Sequence, residues 1–256
     1  MKVVILAGGF GTRFSGESPD CPKPMVRIGG MPLIWHIMKY YACYGHTEFI
    51  LCAGYKQQAV KDFFFRYCLH RSDVTFDFTS EDKVTYHSRI SEPWRVTVAD
   101  TGRDTMTGGR VARVRPYVGE ETFLLTYGDG LSDLDVNDTI RFHREHGKML
   151  TVTAVQPEER FGVLSLDESG SVTAFHEKEH SGRWINAGFM VAEPEWFNYM
   201  EGDGTVLEKE PMERAAREGK IRAYRHTGFW QCMDTPREKR ILEELWESGK
   251  APWKLW

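Results

Sequence analysis

The chain has 256 residues, 41% of them hydrophobic and 27% charged, with a formal net charge of -4. It is long enough to bury a sizeable core, and it offers no basic field for wrapping a nucleic acid, so an anionic ligand must be met by a local cluster of charge. Cys21, Cys43, Cys52, Cys68 and Cys232 are odd in number and lack CxxC spacing, which argues against a disulfide framework or zinc ribbon and for a reducing, cytoplasmic setting; the first apolar run is about five residues, against the roughly 20 that a membrane span requires.

Residues 3–7 read as a fully buried strand and residues 31–44 as an apolar-rich helix ending near Gly45. A second buried strand at 47–52 and helical apolar spacing over 58–69 continue the alternation. Successive βα units predict an α/β fold with a doubly wound, mostly parallel, Rossmann-like sheet. Between His70 and Asp100, "DVTFDF", "KVTYH" and "WRVTVAD" read as strands with no helix between them, an antiparallel excursion. "TFLLTYGDG" returns to a buried strand with a polar turn, and residues 136–146 form a helix with acidic residues at its start and Gly147 at its end. Strands follow at 150–155, 163–166, 172–175 and 185–191, then helices at 193–200 and 206–217. A last strand pair at 221–224 and 229–232 leads into "TPREKRILEELWESG", with Thr235 as N-cap and Pro236 in the first helical position. No repeat or linker divides the chain, so residues 1–256 read as one composite domain.

The stretch from Val3 to Met25, "VVILAGGFGTRFSGESPDCPKPM", carries a glycine-rich turn after a strand. Gly9, Gly11 and Phe14 fall on the three glycine positions of GxGxxG, so the dinucleotide pattern lacks its third glycine. Gly16 is followed by Glu17 and Ser18 rather than the lysine and hydroxyl of a P-loop. What remains is a turn whose backbone N–H groups at Gly8, Gly9 and Gly11 can approach a ligand closely, with Arg13 and the proline-flanked Lys23 as cations. That set suits a nucleoside triphosphate attacked at its α-phosphorus; the plainer alternative is a simple turn with solvated cations.

"LAGGFGTRFS" followed by "KPM" resembles the signature of sugar-1-phosphate nucleotidyltransferases, and the resemblance continues through "FLLTYGDG", Glu177-Lys178, "INAGFM" and "GFWQCMDT" over essentially the whole chain. "IWHIMK", "SDVTF", "MTGGR" and "GKAPWK" look like its cytidylyl branch. The resemblance implies attack by the phosphate of α-D-glucose 1-phosphate on CTP, giving CDP-glucose, a precursor of deoxysugars for surface polysaccharide, and pyrophosphate. It implies magnesium held by Asp129 and Asp234, Arg13 on the β- and γ-phosphates, and Lys23 at the α-phosphate. It places Leu6, Ala7, Gly8, Gly9, Phe10, Gly11, Thr12, Thr105, Arg110 and Gly128 around the nucleotide, with Arg110 donating to cytosine acceptors. Glu177, Lys178, Asn186 and Gly188 fall to the sugar phosphate, so residues 1–147 are mainly the nucleotide part and 148–256 mainly the sugar part. No histidine is needed, because the attacking phosphate is already an anion. Glu179 departs from the proline that commonly follows the Glu-Lys pair, which bears on the choice of sugar. UTP, dTTP or another phosphorylated sugar are the related alternatives.

Two other classes compete. His176 to His180 formally match HExxH, but the β-branched "SVTAF" before them and Ser181-Gly182 after them argue against the helix that a zinc hydrolase needs. A non-catalytic relative is expected to have lost a charged site residue, and Arg13, Lys23, Asp129 and Asp234 are all present. His143 and His146 read as exposed or partly buried residues of their helix, and "DFFFRY" as a core-facing stripe. The two tryptophans of "APWKLW" hint at an interface, in keeping with a homo-oligomer.

Overall fold

The computed structural model describes residues 1–9, 21–79, 83–87, 92–157, 163–176 and 182–256. Strand β1 (Val3–Leu6) is buried at every position because both of its faces are covered. Val3 and Ile5 belong to one hydrophobic cluster and Val4 and Leu6 to another, on opposite sides of the same sheet. A short hairpin of β2 (Arg27–Ile28) and β3 (Met31–Pro32) leads into α1 (Leu33–Cys43), and β4 (Glu48–Ala53) then pairs parallel with β1. After α2 (Gln57–Phe65) and a separate 3₁₀ turn at Leu69–Arg71, β5 (Val74–Asp77) and β6 (Lys83–Tyr86) form an antiparallel ribbon.

The expected excursion is therefore two strands, not three. Strand β7 (Arg95–Asp100) pairs parallel with β4, so α2 and the ribbon together make the crossover between two parallel neighbours. Helices α3 (Thr107–Arg113) and α4 (Arg115–Val118) precede β8 (Phe123–Tyr127), the other parallel partner of β1, and neither helix is predicted from periodicity because both are too short to show it. Next come β9 (Gly130–Ser132), α5 (Val136–His146), β10 (Leu150–Val155), the hairpin of β11 (Val163–Leu166) with β12 (Val172–His176), and β13 (Ile185–Ala192). The segment expected as a helix at 193–200 is a 3₁₀ helix over Pro194–Tyr199. Helix α6 (Glu210–Arg217) begins with Pro211 in its first turn, and β14 (Ile221–Arg225), β15 (Trp230–Cys232) and α7 (Pro236–Glu247) complete the chain.

Strands β14 and β15 do not pair with each other. β14 lies parallel to β10 at one end of the main sheet, whereas β15 pairs antiparallel with β9. The main sheet runs β14-β10-β13-β8-β1-β4-β7, with β13 as its antiparallel member. One face packs against α1, α5 and α7, the other against α3, α4, the 3₁₀ helix and α6. Among the described residues no helix is long and apolar enough to cross a membrane. All five cysteines are free.

Candidate active site

Because β1, β4, β7 and β8 run parallel, the turns after them open on one edge of the sheet, where ligands of doubly wound folds bind. The turns after β1 and β8 are tied together: Gly128 N–H donates to the Leu6 carbonyl at 2.9 Å. A Cβ on Gly128 would lie 2.8 Å from that carbonyl and 3.1 Å from Pro24 Cγ. Only glycine lets the two turns and the 3₁₀ turn Lys23–Met25 meet.

Lys23 enters on that 3₁₀ turn, between Pro22 and Pro24. Its ammonium donates to Asp129 Oδ2 at 2.5 Å and, still closer, to Asp234 Oδ1. Three residues separated by 106 and 211 positions thus share one point. The ribbon of β9 and β15 brings the aspartates together: Cys232 faces Gly130, and Met233 N–H donates to the Asp129 carbonyl at 2.8 Å. Asp234 is fixed by the start of α7, where a capping box joins Thr235 and Glu238 and the buried Glu238 carboxylate also accepts Asp234 N–H at 2.6 Å. The Lys23 side chain is 14% exposed. Burial works against its charge, but Asp129 and Asp234 outweigh burial and hold its pKa above the ordinary lysine value.

Arg110, expected at the base, is buried in α3 beneath the first glycine turn. Its guanidinium occupies the place that a side chain on Gly8 or Gly54 would take, 2.4 and 2.3 Å from where a Cβ on each would lie. Nη1 donates to Thr101 Oγ1 at 2.8 Å and to the Gly102 carbonyl at 2.7 Å, and Nη2 to the Arg103 carbonyl at 3.1 Å. Desolvation lowers its pKa from the usual arginine value. Arg110 thereby clamps the turn after β7 to the glycines after β1 and β4. Thr105 is buried beside it, its hydroxyl 2.6 Å from where a Gly102 side chain would begin. The glycines of "MTGGR" serve packing: a Cβ on Gly108 or Gly109 would meet the backbone of Thr205 or Asp203 at 2.9 and 2.7 Å.

Leu6 and Ala7 are buried, and Gly9 is exposed next to Gly8. Asn186 and Gly188 stand on β13 beside Tyr127, the last residue of β8. Gly188 has a φ of +84°, and a side chain there would meet Tyr127 Cδ2 at 2.3 Å. Tyr127 and its partner Glu208 are absent from the sequence-derived set; nothing in the local pattern distinguishes them. Phe10, Gly11, Thr12, Arg13, Glu177 and Lys178 lie outside the described residues, as does Glu179.

Residues 2–230 match the model of the nucleotidyl transferase family. The chain belongs to that family. It is 51% identical over the full length of both chains to the glucose-1-phosphate cytidylyltransferase of Salmonella typhi. It is 42% identical, again over the whole of each chain, to a Bacillus subtilis (strain 168) protein named probable glucose-1-phosphate cytidylyltransferase. The fold resembles the crystal structure of HddC from Yersinia pseudotuberculosis, with a TM-score of 0.70 at 24% identity over 96% of this chain and 99% of that one.

In this nucleotidyltransferase the features outside the site have structural partners. His143, expected to be exposed or partly buried, is instead fully buried in α5, because its ring finds partners in Thr151 Oγ1 at 2.7 Å and Glu193 Oε1 at 3.0 Å. His176 ends strand β12, while the rest of the HExxH match lies outside the described residues. In "DFFFRY", Phe63 and Phe64 pack on the core but Phe65 is exposed. The tail packs on its own chain, with Trp253 fully buried and stacked on Phe229 and Trp256 partly buried against Trp35 and Trp246.

Proposed function

We propose that this nucleotidyltransferase forms CDP-glucose and pyrophosphate from CTP and α-D-glucose 1-phosphate. The observation that carries the reading is the meeting of Lys23, Asp129 and Asp234 at the sheet edge beside Gly8 and Gly128, in a chain that shares half its residues with a glucose-1-phosphate cytidylyltransferase. An oxygen of the sugar phosphate attacks the α-phosphorus of CTP, a new P–O bond forms, and the bond to the β-phosphate oxygen breaks. The attacking phosphate is anionic near neutral pH, so the protein supplies position and charge rather than a general base.

Lys23 is held charged by its aspartates across the physiological range and in this reading meets the α-phosphate. Arg110 acts on the nucleotide side through Gly8 and Thr101, shaping the turn and adding positive potential from below. Arg13 belongs on the departing phosphates in this reading, and Glu177, Lys178, Asn186 and Gly188 belong on the sugar phosphate. Two carboxylate oxygens that converge on one cation, here the Lys23 ammonium, also fit magnesium, which takes one or two carboxylates together with substrate phosphates. Bound there, the ion would supply charge neutralisation to the polyphosphate. The five free cysteines suit the cytoplasm, and the homo-oligomer implied by the resemblance is read from the mass of the enzyme in solution.

The test is pyrophosphate release from CTP, UTP, dTTP, ATP and GTP against several sugar 1-phosphates with magnesium. CTP with glucose 1-phosphate is expected to be the best pair. Preference for UTP or dTTP would overturn the cytidylyl assignment, and silence with every pair would overturn the activity.

A further inference from the structure

Strands β9 and β15 form a ribbon of three residues each, and this ribbon sets Asp234 beside Asp129. A two-stranded ribbon left to itself is marginal in water, so its register depends on what holds its ends. At the site end Met233 N–H donates to the Asp129 carbonyl at 2.8 Å. The far end lies three residues of strand away, about 10 Å. There the Phe229 carbonyl collects three donors: Ser132 Oγ at 2.8 Å, His226 Nε2 at 3.1 Å and Asp133 N–H at 3.2 Å.

Of these donors, His226 is the one that comes from outside the ribbon. It directly follows β14, and its backbone N–H donates to the Ala154 carbonyl of β10 at 2.9 Å, so the ring is anchored to the main sheet. A carbonyl only accepts, so Nε2 carries the proton. The Ser132 hydroxyl gives its hydrogen to Phe229, accepts Leu134 N–H at 3.2 Å, and keeps a lone pair for Nε2, 3.2 Å away. Nε2 also lies 3.0 Å from Asp133 Oδ1, with the His226 side chain only 11% exposed. Gly228 lets the loop close this tightly, because a Cβ there would stand 2.5 Å from Asp133 Oδ1 and 2.7 Å from His226 Cε1.

We propose that His226 is a positioning residue for the two site aspartates. Through Phe229 and Ser132 its ring locks β15 in register on β9, and the locked ribbon holds the Asp129 and Asp234 carboxylates at the spacing a divalent cation needs. The assignment rests on the reading above that these carboxylates take magnesium. Two carboxylates on separate segments hold one ion only while their spacing is kept, and a spacing set by a strand pair is lost when the pair slips or splays. Among the described residues no hydrogen bond joins this end of the ribbon to the turn after β1 or to Arg110, so the nucleotide's own contacts do not run through His226.

The test is the affinity of Mn2+, a divalent ion visible by electron paramagnetic resonance, for the enzyme with saturating CTP and no sugar phosphate, where nothing turns over. His226→Ala should weaken Mn2+ binding about 5- to 20-fold, while CTP affinity measured in EDTA changes less than about twofold. His226→Gln, whose amide N–H can donate from close to the place of Nε2, should return Mn2+ affinity to within about threefold of wild type. Urea unfolding of the same preparations gives the folded fraction. Mn2+ affinity per folded molecule that stays at the wild-type level would make His226 structural and overturn the assignment, as would equal weakening of Mn2+ and CTP. If His226→Ala does not fold, Ser132→Ala removes the shared hydroxyl with less loss of volume and is held to the same Mn2+ outcome. A wild type whose CTP complex holds Mn2+ no more tightly than free CTP overturns the metal reading and the assignment together; a wild type that holds it, with unaffected variants, overturns the assignment alone.

Discussion

Lys23 is the residue on which the site turns, and its position shows what a single side chain can and cannot reveal in sequence. Pro22 and Pro24 mark it as held rather than solvated, but the pairing with Asp129 and Asp234 depends on chain 106 and 211 residues away. Arg110 adds something the sequence does not show: the arginine beside "MTGG" also bonds the protein itself, donating to the Thr101 hydroxyl and to the Gly102 and Arg103 carbonyls. For Asp129→Asn we expect turnover to fall on the order of 100-fold or more, since a charged oxygen aimed at the reaction centre is lost. Stability should change far less. The Asp129 side chain is one-third exposed, so its ion pair with Lys23 contributes about 1 kcal/mol after solvent screening, or roughly 2–4 °C in thermal midpoint. Activity and melting curves measured on the same preparation separate the two effects. A loss of folding that matches the loss of activity would make Asp129 structural.

At the scale of elements, the start of α7 does two jobs. Thr235 caps the helix, Pro236 occupies a first-turn position that needs no N–H donor, and Glu238 closes the capping box. The cap and the proline are legible in the sequence. The second job is not: Glu238 also receives Asp234 N–H and so aims the backbone that carries a site carboxylate. Thr235→Ala should cost about 1 kcal/mol in urea unfolding, as lost caps do. Because it loosens Asp234 as well, turnover should fall by more than the fraction unfolded explains, on the order of 10-fold. An activity loss equal to the unfolded fraction would confine Thr235 to helix stability. The same limit governs the strands. Residues 95–100 and 229–232 read correctly as strands, yet alternation cannot say which neighbour a strand will take, and both neighbours differ from expectation.

At the scale of the whole molecule, the tail closes the core. His36 on α1 is fully buried among Trp35, Trp246, Trp253 and Trp256. Its Nε2 meets the Ile28 carbonyl at 2.8 Å, and Trp253 Nε1 donates to Nδ1 at 3.4 Å. A carbonyl only accepts and an indole N–H only donates, so the ring is neutral with its proton on Nε2. Burial pushes its pKa down to about 4. Below about pH 6.5 the unfolded chain binds a proton that the native ring refuses, so the contribution of His36 is complete above that pH and is lost as pH falls toward 4. Denaturant titrations at pH 7, 6 and 5 should show a small loss between pH 7 and 6 and a fall steepening toward about 1.4 kcal/mol per pH unit between pH 6 and 5 on this account. His36→Gln can satisfy both partners without titrating, so it should lack that part of the slope. Equal slopes in the two proteins would show that the ring is not the titrating group.

By itself the sequence determined the α/β alternation, the glycine turn after the first strand, the caps of the last helix and the family, because these rest on periods and spacings within a few residues or on whole motifs. Helix 136–146 appears with its predicted ends, with Gly147 in the left-handed conformation after it. The tertiary structure alone decided that β15 pairs with β9 and so sets Asp234 beside Asp129, that Arg110 fills the space over Gly8 and Gly54, and that the Tyr127 ring lies against Gly188 while its hydroxyl donates to Glu208. Each of these is a meeting of distant segments. Such contacts follow from how the two faces of the sheet bury their side chains together, and no local pattern encodes which turn will close on which.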